Sequence, residues 1–185
     1  FDPKDETTRI ITTANGDDIR ANAIRNDGAG SMLLGSVYGL WTYNLKNNKC
    51  SVAFGNKRDT QQWLNQRIDD VKADRQKGVI MLTHPDGITV YDTKRDTLSY
   101  IRRTNDIIKG MARDHDGAYW ICTSSGTVVG IRPERHANRL ELIRRSFQPN
   151  VGIPQFYFNG DAMLCSAQGE ILMGGTEGYM SIKPR

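Results

Sequence analysis

Histidine is scarce in this 185-residue chain, with three copies, and cysteine is equally so. His84, His115 and His136 stand in polar turns or loops, outside any recognisable nucleophile or metal motif. Cys50, Cys122 and Cys165 show no CxxC spacing, and an odd number leaves one thiol unpaired under any disulfide scheme. No metal or cofactor is expected on this reading, and the cysteines leave the redox compartment open. Cys122, inside the apolar run YWICT, is expected to be a small buried thiol.

Long apolar runs are missing too. Nothing approaches the roughly 18 residues that cross a bilayer, and no signal-peptide pattern opens the chain, so no membrane contact is expected of this segment. The chain begins at Phe1 and is read as a piece of a longer protein. Its net charge of +4 does not point to nucleic acid, because Lys and Arg are spread along the sequence rather than gathered on one helix or arm. A hydrophobic content of 38% with 25% charge describes a folded domain and not a disordered tail.

What the chain does have is repetition. The stretches IRANAIRNDGAGSMLLGSVYGLWTYN from Ile19, IDDVKADRQKGVIMLTHPDGITVYD from Ile68, IIKGMARDHDGAYWICTSSGTVVGI from Ile107 and FYFNGDAMLCSAQGEILMGGTEGYMSIKP from Phe156 share one layout. Each reads as a strand, a polar turn with Gly, an apolar strand, a second turn closing on Gly, and an alternating strand. The first turns are aligned as Arg25 to Gly28, Asp74 to Gly78, Asp114 to Gly117 and Ser166 to Gly169; the second turns close on Gly39, Gly87, Gly126 and Gly178. Three units are followed by a further β-rich segment, CSVAF, TLSYI or LELIRRSF. Anchors at Phe1, Tyr43, Tyr91, Ile131 and Ile182 set a period of roughly 45 residues with four strands each, the pattern of a β-propeller blade.

The expected fold is therefore all-β: about four four-stranded antiparallel blades, read as the C-terminal part of a larger propeller. Approximate blade limits are 3–45, 46–93, 94–133 and 134–185 of a single fragment. Asp114-His115-Asp116-Gly117 becomes a hairpin turn with solvated carboxylates, not the start of a metal loop, since oxygen ligands do not follow at further fixed positions.

With the unit in view, GLWTYN (Gly39 to Asn44), GITVYD (Gly87 to Asp92) and DHDGAYWICTSSG (Asp114 to Gly126) together resemble the two-component regulator propeller repeats of hybrid two-component histidine kinases of the Bacteroidetes type. Cys122 stands where that repeat usually has Gly, and DRQKGVIMLTHPDG matches less well. The resemblance implies a periplasmic sensor region without catalytic activity, recognising polysaccharide-derived oligosaccharides and signalling across the membrane. The remaining propeller blades, or a second copy of the chain, are the implied partners.

A ligand face is expected where the turns between second and third strands meet the connections between blades. It would collect Tyr38, His84, Asp86, Ser124, Ser125 and Glu177 from the turns. From the connections come Trp63, Arg103 and Gln155. Aromatic rings beside amides and charges suit sugars, whose C–H faces lie on a ring while their hydroxyls need donors and acceptors. Trp63 leads as the platform, against a short helix with Trp63 packed inward; Trp41 and Trp120 lie in strands and are read as core or inter-blade packing. Two other functions stay open: a scaffold for protein–protein contact or dimerisation, and a propeller lyase using His84 and Asp86. Arg102-Arg103, Arg132 with Arg135, and Arg144-Arg145 have the chemistry to meet a uronate or sulfate, against plain surface.

Overall fold

A computed structural model describes residues 4–8, 10–53, 65–85, 87–103, 106–147 and 156–184, the side chains of 99–103 excepted. The chain divides into two compact units, Phe1–Val71 and Lys72–Arg185. Every regular element among the described residues is a strand.

Four antiparallel sheets follow one another along the chain, each formed by consecutive strands. The first holds β1(Ala21–Asn26), β2(Ser31–Ser36), β3(Gly39–Asn44) and β4(Lys49–Val52). The second holds β5(Asp70–Asp74), β6(Val79–His84), β7(Gly87–Asp92) and β8(Thr97–Arg103). The third holds β9(Ile108–Arg113), β10(Tyr119–Thr123), β11(Val128–His136) and β12(Arg139–Phe147), and the last has three strands, β13(Phe158–Cys165), β14(Ile171–Gly175) and β15(Gly178–Ile182). The limits expected at 45/46, 93/94 and 133/134 fall inside these sheets. Short turns let the fourth strand pair with the third, as in Tyr43 opposite Cys50 and Tyr91 opposite Leu98.

Inner strands are covered on both faces and read as apolar runs; outer strands are not. VIMLT and YWICT are buried throughout, whereas β12 is exposed along most of its length. In β10 the two-residue period sends side chains to opposite faces of the sheet. Tyr119 and Ile121 join Val79, Met81, Val90, Met111 and Ile131 on one side. On the other, Trp120 and Cys122 join Ala112, Val128, Phe158, Ile171 and Met173. The third sheet is thus the middle of a three-layer stack within the second unit, and each fully buried aliphatic contributes about 1.5–3 kcal/mol of transfer free energy.

The first unit closes differently. Ile68, fully buried, donates its amide to Ser36 and accepts at its carbonyl from the Asn22 side chain, at 2.9 Å each. Arg25 pairs with the buried Asp70 at 2.7 Å. A Cβ on Gly35 would stand 2.8 Å from Ile68 Cγ2, so glycine is what permits the approach.

Candidate functional site

The turn between β2 and β3 in the first unit is built from one hydroxyl. Ser36 Oγ, buried, donates to the Gly39 carbonyl at 2.9 Å and accepts the Tyr38 amide at 3.0 Å. The turn holds Tyr38 outward, with 59% of the residue exposed.

Beside it the segment from Thr13 to Arg20 folds back on itself. The Thr13 amide donates to Asp17 at 2.9 Å, the Gly16 amide to Thr13 at 3.0 Å, and Gly16 takes a φ of 85° that suits glycine after Asn15. Val37 ties the two segments together by donating to the Arg20 carbonyl at 3.2 Å. Between them lies a cavity of about 550 Å³. Two aromatic rings, Tyr38 and Trp41, line it together with Asn15, Asp17, Asp18 and Arg20. Aromatic faces, an amide, carboxylates and a guanidinium in one concavity are the groups that hold a polyhydroxylated ligand.

Tyr38 was expected on the ligand face; Trp41 was expected as packing and is instead half-buried at the cavity wall. Asn15, Asp17, Asp18 and Arg20 were not singled out. Their signal in the sequence is the polar run ANGDDIR, most of which lies ahead of the repeat that begins at Ile19.

In the second unit the turn from Thr123 to Gly126 is held by a neighbour in space. Asp106 accepts the Ser125 amide at 2.9 Å and takes the hydroxyls of both Ser124 and Ser125. Partial burial opposes its ionisation, but hydrogen bonds from Ser124, Ser125 and Thr123 outweigh that and hold its carboxyl down at about 2. Ser124 and Ser125 thus serve the blade connection. Glu177 is exposed in the β14–β15 turn.

His84, expected in a polar turn, is instead the buried last residue of β6, just ahead of the turn to β7. It is 3% exposed, and its Nε2 lies 2.9 Å from Thr89 Oγ1 on the paired strand. A ring held there is poorly placed to serve as a base for a ligand outside. Trp63, Asp86 and Gln155 lie outside the described residues, as does the side chain of Arg103, whose backbone belongs to β8.

The DHDG turn shows why that motif repeats. Asp114 is buried, not solvated: one carboxylate oxygen accepts the Ala118 amide and the other the Trp120 indole N–H, each at 2.8 Å. Asp116 is the exposed member, 3.8 Å from Arg132. The same brace recurs where Asp27 takes the Ser31 amide at 3.0 Å and Ser166 takes the Glu170 amide at 3.1 Å. Backbone bonds from Asp27 to Ser31, Asp114 to Ala118 and Ser166 to Glu170 repeat as well. Asp27, not Arg25, is therefore the counterpart of Asp114. Among the described residues no group of three His, Cys, Asp or Glu side chains is placed to hold a metal.

Cys122 is buried, and that burial pushes its thiol up to about 12. It packs as a hydrophobe, as expected of the YWICT run.

No family model matches the chain, and no curated protein matches it in sequence. Solved structures do resemble it in fold. The β-propeller domain of Cps50 (Swd1) from Myceliophteria thermophila superposes with a TM-score of 0.67 at 12% identity, over 97% of this chain and 55% of that one. The Dos1 propeller gives 0.60 at 13%, over 85% of this chain and 42% of that one. The extracellular domain assigned to hybrid two component system BT3049 of B. thetaiotaomicron gives 0.55 at 15%, over all of this chain and 30% of that one. The chain thus has the fold of a β-propeller in part, spanning about half the length of the first of these structures or less.

Proposed function

We propose that this chain is the ligand-recognising part of a non-catalytic sensor propeller, and that it binds a polysaccharide-derived oligosaccharide in the cavity walled by Tyr38 and Trp41. The observation that carries the reading is that cavity: two aromatic faces beside Asn15, Asp17 and Arg20. A sugar ring stacks its C–H face on an aromatic side chain while its hydroxyls bond to the amide and charges. Membership of a periplasmic sensor region of a hybrid two-component histidine kinase rests on the sequence resemblance. The fold shared with the extracellular domain of BT3049 supports it. No catalytic role is proposed for His84, whose ring is buried and bonded to Thr89.

A thermal-shift screen of the protein against neutral and acidic oligosaccharides tests the reading, since a ligand of the native state raises the melting temperature by mass action. One sugar is expected to stabilise the protein, and Tyr38→Ala is expected to weaken that sugar at least about tenfold, the loss of one aromatic contact and its buried area. A folded protein with no response to any sugar, or an unchanged affinity in Tyr38→Ala, defeats it.

A second reading, a scaffold for another protein or for dimerisation, is favoured by the apolar side chains that the last sheet leaves exposed. Tyr179 is 74% and Leu164 53% exposed. A concentration-dependent mass in solution that Tyr179→Glu abolishes is its expected mark.

A further inference from the structure

The second unit carries a concavity of a different kind at the opposite ends of its strands from the Ser124–Ser125 turn. The β7–β8 turn contributes Lys94 and Arg95, and the β11–β12 hairpin contributes Arg135, His136, Asn138 and Arg139. Together they line an open space of about 660 Å³, and among the described residues no carboxylate lines it. Four permanent cations and a histidine converge there although the chain as a whole carries only +4.

The acidic groups near these cations stand outside the described lining, and Asp96, in the same turn as Lys94 and Arg95, accepts the Tyr91 hydroxyl at 2.8 Å. Asp92 is buried behind Arg135, 2.6 Å away, and fixes that guanidinium in place. Glu134 lies 3.7 Å from His136, and Glu141 lies 3.5 Å from Arg139 in a mostly exposed pair that solvent screens. Lys94 is held at the rim by donating to the Gln76 carbonyl at 3.2 Å, and its stem lies over Gly78, where a Cβ would stand 2.6 Å from Lys94 Cγ. The cations are thus partly pre-placed around one hollow.

We propose that this concavity binds a compact polyanion bearing two or more sulfate or phosphate groups. Guanidinium and ammonium groups give charge-assisted hydrogen bonds to such oxyanions, and a planar Arg does so in bidentate fashion. Cations from two separate hairpins line the hollow, so two oxyanion groups of one ligand each find donors. Nucleic acid fits less well: among the described residues no Phe, Tyr or Trp lines the hollow to stack a base.

Calorimetric titration at low ionic strength with myo-inositol hexasulfate, inositol hexakisphosphate and inorganic sulfate tests the proposal. At least one of the two polyanions is expected to bind saturably with one site per chain, and at least about tenfold more tightly than inorganic sulfate; which one binds better identifies sulfate or phosphate as the preferred group. The double substitution Lys94→Gln with Arg139→Gln, at exposed positions, is expected to weaken binding at least about tenfold, two charged donors being lost. Amide chemical-shift changes in the unmodified protein give a reading independent of any variant, and they are expected at 94–95 and 136–139. Absence of saturable polyanion binding, equal binding by the double variant, or shifts confined to other residues each overturn the proposal.

Discussion

Arg135 and Asp92 meet at 2.6 Å with their side chains 9% and 1% exposed, joining the third sheet of the chain to the second. The same guanidinium donates to the Lys77 carbonyl at 2.6 Å, so one side chain on β11 clamps the turn before β6 and the end of β7. The carboxylate also accepts the Lys94 amide at 3.0 Å.

Breaking that pair strands a buried charge. Arg135→Ala is expected to destabilise the second unit by about 3–5 kcal/mol, because Asp92 loses its counter-charge in a place water does not reach. Arg135→Lys keeps the charge but not the fork that reaches two acceptors, so an intermediate loss is expected. Urea denaturation followed by circular dichroism checks both, and a loss below 1 kcal/mol in Arg135→Ala rejects the clamp.

The Asp114 turn makes a graded prediction. Asp114→Ala leaves the Ala118 amide and the Trp120 indole N–H without their acceptor in a buried site, at an expected cost of about 2–4 kcal/mol. Asp114→Asn retains one carbonyl acceptor and is expected to lose less. Tryptophan fluorescence during denaturation reads the order, wild type above Asn above Ala.

Close packing of Gly35 on Ile68 predicts coupling. Gly35→Ala is expected to cost about 1–3 kcal/mol through overpacking and Ile68→Ala about 2–5 kcal/mol through a cavity. The double variant is expected to lose less than the sum, since the new methyl occupies space that the isoleucine vacated. Strict additivity in a double-mutant cycle removes the contact as the reason for glycine.

Acid sensitivity at Asp106 follows from its depressed carboxyl. An unfolded aspartate titrates near 3.9, whereas Asp106 in the fold is held at about 2. Its contribution is therefore present above the unfolded value and lost as pH falls through about 2. A carbon-detected titration of the Asp106 carboxyl is expected to show a midpoint well below 3.9, and Asp106→Asn to lower the melting temperature at neutral pH while leaving that acid step absent.

Much of this architecture was legible in the residues. Runs such as VIMLT and YWICT, bounded by Gly-containing turns and recurring at a near-constant interval, specify inner strands, because a strand covered on both faces admits few polar side chains. The turn register was misjudged by two residues in the first repeat: Asp27 and Asn26 look equally apt for a turn, and only the hydrogen bond to Ser31 tells which one braces it.

The candidate sites were less legible for a physical reason. Sequence states which residues are polar; whether a polar residue faces solvent depends on what packs over it. His84 and Asp86 share a turn-like composition, yet His84 closes a fully buried strand with its ring against Thr89. Asp114 and Asp116 flank the same histidine, yet one is buried under an indole and the other is exposed.

The sequence by itself determined the class of fold, through a repeat whose strands cannot bury their apolar faces except against one another. Tertiary structure alone decided which side chains converge, since Lys94 and Arg139, or Tyr38 and Asp17, line one concavity only when turns distant in the chain are folded side by side.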